Sequence, residues 1–277
     1  MKKTLLIIPA TALLLAACNG NDTEVRNSDI SFDYRNDAQV YVLQNSASVY
    51  ECDSDLRIAC RANIMVPRKF LGKEIGALVD SIEVAAFDSV GGLAAYENAF
   101  HTAAASFGFP AVPEILTAPE RDSLAAIPLG ETDYDGFYTV SGTVATMTPH
   151  LISYRVEISQ YAPRAAHGDY EVKYINYDTE SGRVLTLDNL FTAEGRQALP
   201  PLIARRANLM SGYLGETAIT SLPADGTFWI TPAGNIEFLY QPYEVASYAQ
   251  GIIRVPFEPY SLSEYMTDLG KTVFNLN

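Results

Sequence analysis

Three consecutive runs between residues 137 and 177 alternate apolar and polar side chains, and they constrain the fold more than any other part of the chain. In "FYTVSGTVATMT", Tyr138, Val140 and Val144 alternate with Thr139, Ser141 and Thr143. In "LISYRVEISQY", Ile152, Tyr154, Val156 and Ile158 alternate with Ser153, Arg155, Glu157 and Ser159. In "DYEVKYINY", Tyr170, Val172 and Tyr174 alternate with Glu171 and Lys173. A period of two places alternate side chains on opposite faces of a strand. Three such runs joined by Pro149-His150 and by "YAPRAAHGDYE" predict an antiparallel meander with one buried and one wet face.

The flanking segments build around that meander. "QVYVLQNSASVY" and "LRIACRANIMV" read as two further strands, the second stopped by Pro67. In "KFLGKEIGALVDSIEVAAF", Phe70, Leu71, Ile75, Leu78 and Val79 fall at helical spacing. After Gly91-Gly92 a second helix follows, with Leu93, Tyr96, Phe100, Ala103 and Ala104 on one stripe. Residues 108–136, rich in proline and glycine, read as an irregular connector. Beyond Ser181-Gly182, Asp188 is the expected cap of a short helical turn. "TAEGRQALPPLIARRANLM" reads as a helix kinked or restarted at Pro200-Pro201. "TFWITPAGNIEFLY" is a hairpin turning at Pro232-Ala233-Gly234-Asn235, "GIIRVPF" a strand, and "SLSEYMTDLG" a final helix ending at Gly270. The expected class is α+β: antiparallel sheet or sheets with helices packed on one face, in two lobes, 31–180 and 181–277.

The N-terminus bears on location. Lys2 and Lys3 precede an apolar stretch from Leu5 to Leu15, and "LAAC" follows, Leu15-Ala16-Ala17-Cys18. About a dozen apolar residues are too few to cross a bilayer core of roughly 30 Å, so the pattern is that of a secretory leader. The Leu-Ala-Ala-Cys sequence resembles a bacterial lipobox. That resemblance implies a signal peptide over 1–17, cleavage before Cys18 and acylation of its thiol, with 18–30 as a flexible tether. The chain is then expected in the cell envelope, anchored by lipid: in the outer membrane, periplasmic or surface-facing. In an oxidising compartment Cys52 and Cys60, flanking the turn-type cluster Asp53-Ser54-Asp55, are expected to form a disulfide across a hairpin. A two-cysteine metal site is the weaker reading, because no histidine is near and the spacing is not C-x-x-C.

Charge narrows the partners. Of 19 basic residues two leave with the leader, so 17 face 33 acidic ones, a formal charge of −16. Nucleic acid and anionic lipid headgroups are therefore poor partners, and a cationic protein is steered favourably.

The order of Ala166-His167-Gly168, Asn176 with Asp178, Ser181-Gly182, Leu185-Thr186-Leu187 with Leu190-Phe191, and Tyr243-Glu244-Val245-Ala246 with Tyr248, Ala249 and Gly251 resembles a known family. It is similar to the extracellular domain of RsiV-type anti-sigma factors, shared with the non-catalytic N-terminal region of the peptidoglycan deacetylase PdaC. The resemblance covers roughly residues 39–269. It implies a sensor or binding module for a lysozyme-like protein or cell-wall glycan, without the deacetylase's catalytic domain. Pro163-Arg164-Ala165 replaces the family's glycine-rich lead into the histidine turn, and there this chain is expected to differ in what it binds.

No G-x-S-x-G, H-E-x-x-H, P-loop or G-x-G-x-x-G is present. Three scattered histidines, His101, His150 and His167, offer no spacing for a triad or a metal site, so no catalytic residue, metal or cofactor is expected. The candidate binding surface is His167, Arg164, Tyr243 and Tyr248. Two rival readings stay open: a glycan-acting enzyme using a carboxylate pair, and a structural envelope lipoprotein with no ligand.

Overall fold

A computed structural model describes residues 25–44, 50, 54–91, 93–127, 134–210, 212–213 and 218–276. The expected leader, Cys18 and Cys52 lie outside them, as does most of the tether. Strands β1 (Ile30–Leu43), β2 (Leu56–Phe70), β3 (Lys73–Glu74), β4 (Gly136–Met147), β5 (Leu151–Tyr161), β6 (Asp169–Asp178) and β7 (Arg183–Leu185) form one seven-stranded sheet. The order is β1-β2-β4-β5-β6-β7, with β3 paired to β2. The meander β4-β5-β6 is antiparallel as its alternation requires, whereas β2 and β4 run parallel, joined by a helical crossover. The class is α+β, with an open, antiparallel-rich sheet.

Helices α1 (Gly76–Phe87) and α2 (Leu93–Ser106) occupy that crossover and cover one face. Leu78, Ile82, Phe87, Tyr96 and Phe100 pack there on Ile58, Ile64, Val140, Ile152, Tyr154 and Val156. Fully burying one such Leu or Phe contributes roughly 1.5–3 kcal/mol. Helix α3 (Ala118–Ala125) lies within the segment read as irregular, and its Leu124 packs on Ala38, Val40 and Ala59, on the opposite face of β1 and β2.

The rest of that opposite face receives the C-terminal elements: α4 (Leu187–Leu190), α5 (Ala193–Ala207), the sheet β10-β9-β8 (Ile253–Phe257, Ile236–Tyr240, Phe228–Ile230) and α6 (Asp268–Val273). They enclose a second core of Leu190, Phe191, Leu199, Ile203, Phe238 and Tyr240. A bulge in β4 between Val144 and Thr146 turns Thr146 towards this side. Its hydroxyl donates to Ile230 O at 3.0 Å and accepts from the Trp229 indole at 3.1 Å.

Several sequence expectations are corrected. Pro67 does not stop β2, because the β1–β2 register shifts at Ser31/Phe32, opposite it, so the missing N–H falls at an irregularity. Residues 69–74 belong to the end of β2, a turn at Leu71-Gly72 and β3 rather than to a helix, and α1 begins only at Gly76, after its N-cap Ile75. Thr186, not Asp188, caps α4, since its Oγ1 accepts from Asn189 N; Asp188 pairs instead with Arg196 at 3.3 Å. Helix α5 runs unbroken through Pro200 and Pro201, and Gly270 lies inside α6 rather than at its end.

The expected Cys52–Cys60 disulfide involves Cys52, which lies outside the described residues. Cys60 sits well inside β2 opposite Gln39, and its buried sulfur lies 3.9 Å from Phe100 O. Burial pushes that thiol far above the usual range. Cys60 should therefore resist alkylation in the folded protein and react once it unfolds. Peptide mapping without reduction reads this directly, since a bridge to Cys52 would leave Cys60 unmodified even in denaturant.

Candidate functional site

The β5–β6 connection and the segment after β9 meet at one end of the large sheet. Pro163 is buried, Arg164 takes a left-handed φ of 61°, and Ala165 N closes the turn on Ala162 O. His167 then projects into solvent beside the start of β6. Its Nδ1–H donates to Gly168 O at 2.7 Å, which leaves Nε2 to accept from the Tyr243 hydroxyl at 3.0 Å. Both ring nitrogens are thereby engaged.

The second segment is held from several sides. The Gln241 carboxamide bonds both main-chain groups of Val172 on the edge of β6, at 3.2 and 2.8 Å. Glu244 accepts from Gln241 N at 2.8 Å and Ala224 N at 2.7 Å, while Val245 and Ala246 are buried. Between these anchors Tyr243 adopts a φ of 69° and is 61 % exposed. A non-glycine residue there costs roughly 1 kcal/mol or more and persists only when its surroundings enforce it. The enforcing bonds are Tyr243 N to Ala246 O at 3.0 Å and the phenol to His167.

Tyr248 completes the surface, stacked on His167 with ring centroids 4.1 Å apart and set edge-on to Tyr170 at 5.9 Å. Burial, with the neighbouring Tyr170, Asp169 and Tyr243, raises the pKa of its phenol. Tyr248 is thus a neutral hydroxyl at physiological pH. Three of the four expected surface residues come together. Arg164 does not join them, because its left-handed backbone directs the guanidinium to Tyr50 O at 2.7 Å. Tyr170 and Gln241 also take part, and in the sequence Tyr170 is legible only as one apolar position of the β6 alternation.

The other histidines lie elsewhere. His150 pairs with Glu180 at 2.7 Å in the β4–β5 turn, and His101 on α2 meets Tyr41 edge-on. Among the described residues no three His, Cys, Asp or Glu side chains gather as a metal-binding group, and no helix is long and apolar enough to cross a membrane. At the His167 surface the arrangement offers aromatic faces and hydroxyl groups, the elements of a contact surface.

The remaining motif residues hold the fold together. Fully buried Asn176 accepts from Ser153 Oγ at 2.6 Å and Ile230 N at 3.1 Å, and donates to Phe228 O at 2.8 Å. It thus joins β8 to the large sheet. Asp178 receives Glu180 N, Ser181 N and Ser181 Oγ across the turn before Gly182.

These elements define an α+β protein in which a three-stranded sheet docks on a larger open one. Residues 188–260 match the family described as "Protein of unknown function (DUF3298)". The fold is similar to the crystal structure of a DUF3298 family member from Bacteroides fragilis NCTC 9343, with a TM-score of 0.61 and 16% identity over 88% of this chain and 96% of that one. A DUF3298 family protein from Pseudomonas aeruginosa PAO1 has a TM-score of 0.53 and 16% identity over 87% and 96%. At these identities the similarity is one of fold. No curated protein matches the chain.

Proposed function

We propose that this chain is a lipid-anchored envelope protein acting as a non-enzymatic binding module, with the surface of His167, Tyr243 and Tyr248 contacting a cationic protein of lysozyme type. The observation that carries the reading is Tyr243, an exposed aromatic residue held in a strained backbone conformation by a histidine oriented through Gly168 O. Strain of this kind clusters at functional sites, and Tyr243 combines it with an exposed aromatic ring. The lipobox-like "LAAC" supports the anchor, and the formal charge of −16 supports a cationic ligand. Engagement of both His167 nitrogens by Gly168 O and Tyr243, neither of them a carboxylate, favours binding over acid–base chemistry.

Titration with a c-type lysozyme should show binding that weakens as salt is raised. Tyr243→Ala should reduce affinity by about thirtyfold, the loss of one aromatic hot spot. No binding at low ionic strength would end this reading. Cell-wall glycan is the second reading, favoured by the stacked His167 and Tyr248 rings. It predicts that muropeptide fragments, not lysozyme, perturb the same tyrosines. Incorporation of labelled fatty acid, lost in Cys18→Ala, tests the anchor.

A further inference from the structure

A cleft runs along the outer edge of β6, between α1 and the segment 225–228. Its two lobes, about 310 and 440 Å3, share Ser81, Tyr174, Ile175, Asp225 and Thr227 and so form one groove. Volumes of this order are typical of ligand sites. Ile175, Leu187 and Phe228 give it an apolar lining. The larger lobe is bordered by Asp80 of α1, by Asp88 at that helix's C-cap and by Asp225.

Three observations indicate what would occupy it. First, β6 is incompletely paired on this side. β7 covers only Asn176–Asp178, and Gln241 takes the main chain of Val172. Tyr174 lies two residues from each, so its main-chain groups share their direction, towards the groove. Second, the potential is negative. Asp80 and Asp88 are exposed, and Asp88 caps α1, whose C-terminal carbonyls add the negative end of a helix dipole. Third, positive charge in the groove is already offset, because Lys173 lies 3.2 Å from Glu171. Asp225 is fixed by Thr227 N and Oγ1 at 2.9 and 2.6 Å, so it stands ready without rearrangement.

We infer that this cleft docks an extended polypeptide segment, which lies against β6 at Tyr174 and places a lysine or arginine side chain among Asp80, Asp88 and Asp225. Main-chain pairing at a strand edge supplies register, and the carboxylates select for charge. The site is separate from the His167 surface and stands whether or not that surface binds a lysozyme-type protein.

Fluorescence anisotropy of the full chain with a dye-labelled octapeptide of alternating alanine and lysine tests this. The alanine–lysine peptide should bind, and the alanine–glutamate peptide should not. The double variant D80N/D88N, which changes two exposed side chains, should weaken binding by about tenfold. Backbone N-methylation of the peptide should weaken it similarly, and Tyr243→Ala should leave it unchanged. The inference is overturned if the alanine–lysine peptide does not bind. It is also overturned if the N-methylated peptide or spermine competes equally well, which would indicate a general cation site, or if calcium alone displaces the peptide. Loss of binding in Tyr243→Ala would instead assign the peptide to the aromatic surface and overturn the inference likewise.

Discussion

Replacing Asn176 by aspartate is expected to destabilise the protein by about 3–5 kcal/mol, although the two side chains are nearly isosteric. The carboxylate would still accept from Ser153 Oγ and Ile230 N. Its second oxygen, however, would stand where the amide now donates to Phe228 O at 2.8 Å. Two acceptors would then face each other in a fully buried site, and a charge would enter it without a cation. Against a typical stability of about 5–15 kcal/mol that loss is severe. Ser153→Ala removes a single hydroxyl proton, which points chiefly at Asn176 Oδ1 with Ile230 O as the longer contact, and should cost about 1 kcal/mol. Urea unfolding of both variants measures the contrast. An aspartate variant no less stable than the alanine variant would show that the amide does not join the two sheets.

The contrast also shows why some of this architecture is legible in the sequence and some is not. The meander is readable because burial on one face imposes a strict alternation, visible in Ile152, Tyr154, Val156 and Ile158. It fails at Thr146, where the bulge turns a side chain to the other face, and no composition signal marks that residue. The length of β1 is hidden because Asp33, Arg35, Asn36 and Asp37 interrupt its apolar pattern near an edge of the sheet. Helix α3 did carry a signal: Thr117, Pro119 and Glu120 form a capping box with proline in the first turn. Surrounding prolines masked it. Parallel pairing of β2 with β4 follows from a crossover rather than from any local pattern.

The candidate surface divides along similar lines. His167, Tyr243 and Tyr248 are far apart in sequence, and only the family-like order of motifs suggested them together. Arg164 enters the candidate surface through the altered lead-in Pro163-Arg164-Ala165. Its left-handed backbone, which periodicity does not reveal, sends the guanidinium to Tyr50 instead. The β6 cleft draws on α1, β6 and the 225–228 segment, and no single stretch of sequence announces it.

Alanine at Gly195 or Gly270 sets local propensity against packing. Both glycines lie in the first turn of a helix, three residues after a capping threonine, Thr192 for α5 and Thr267 for α6. In an isolated helix glycine to alanine would stabilise by about 1 kcal/mol. Here the two helix starts approach each other through the bridge between Phe191 and Met266. Thr192 N donates to Tyr265 O and Thr267 N to Leu190 O, each at 2.9 Å, in a reciprocal arrangement. A Cβ on Gly195 would overlap Tyr265 O and lie 3.0 Å from both its carbonyl carbon and its Cβ. A Cβ on Gly270 would overlap Leu190 O. These obstacles are backbone atoms that also accept the two bridging bonds, so relief would require separating the helices. Overpacking of this kind costs about 1–3 kcal/mol or more, enough to outweigh the propensity gain. Each single variant should therefore be less stable than the parent by about 1–2 kcal/mol. The double variant should lose less than the sum, because one separation relieves both clashes. Additive losses in thermal or urea unfolding would mean that the two contacts yield independently, and a stabilised variant would mean that the helix starts do not meet as closely as these contacts require.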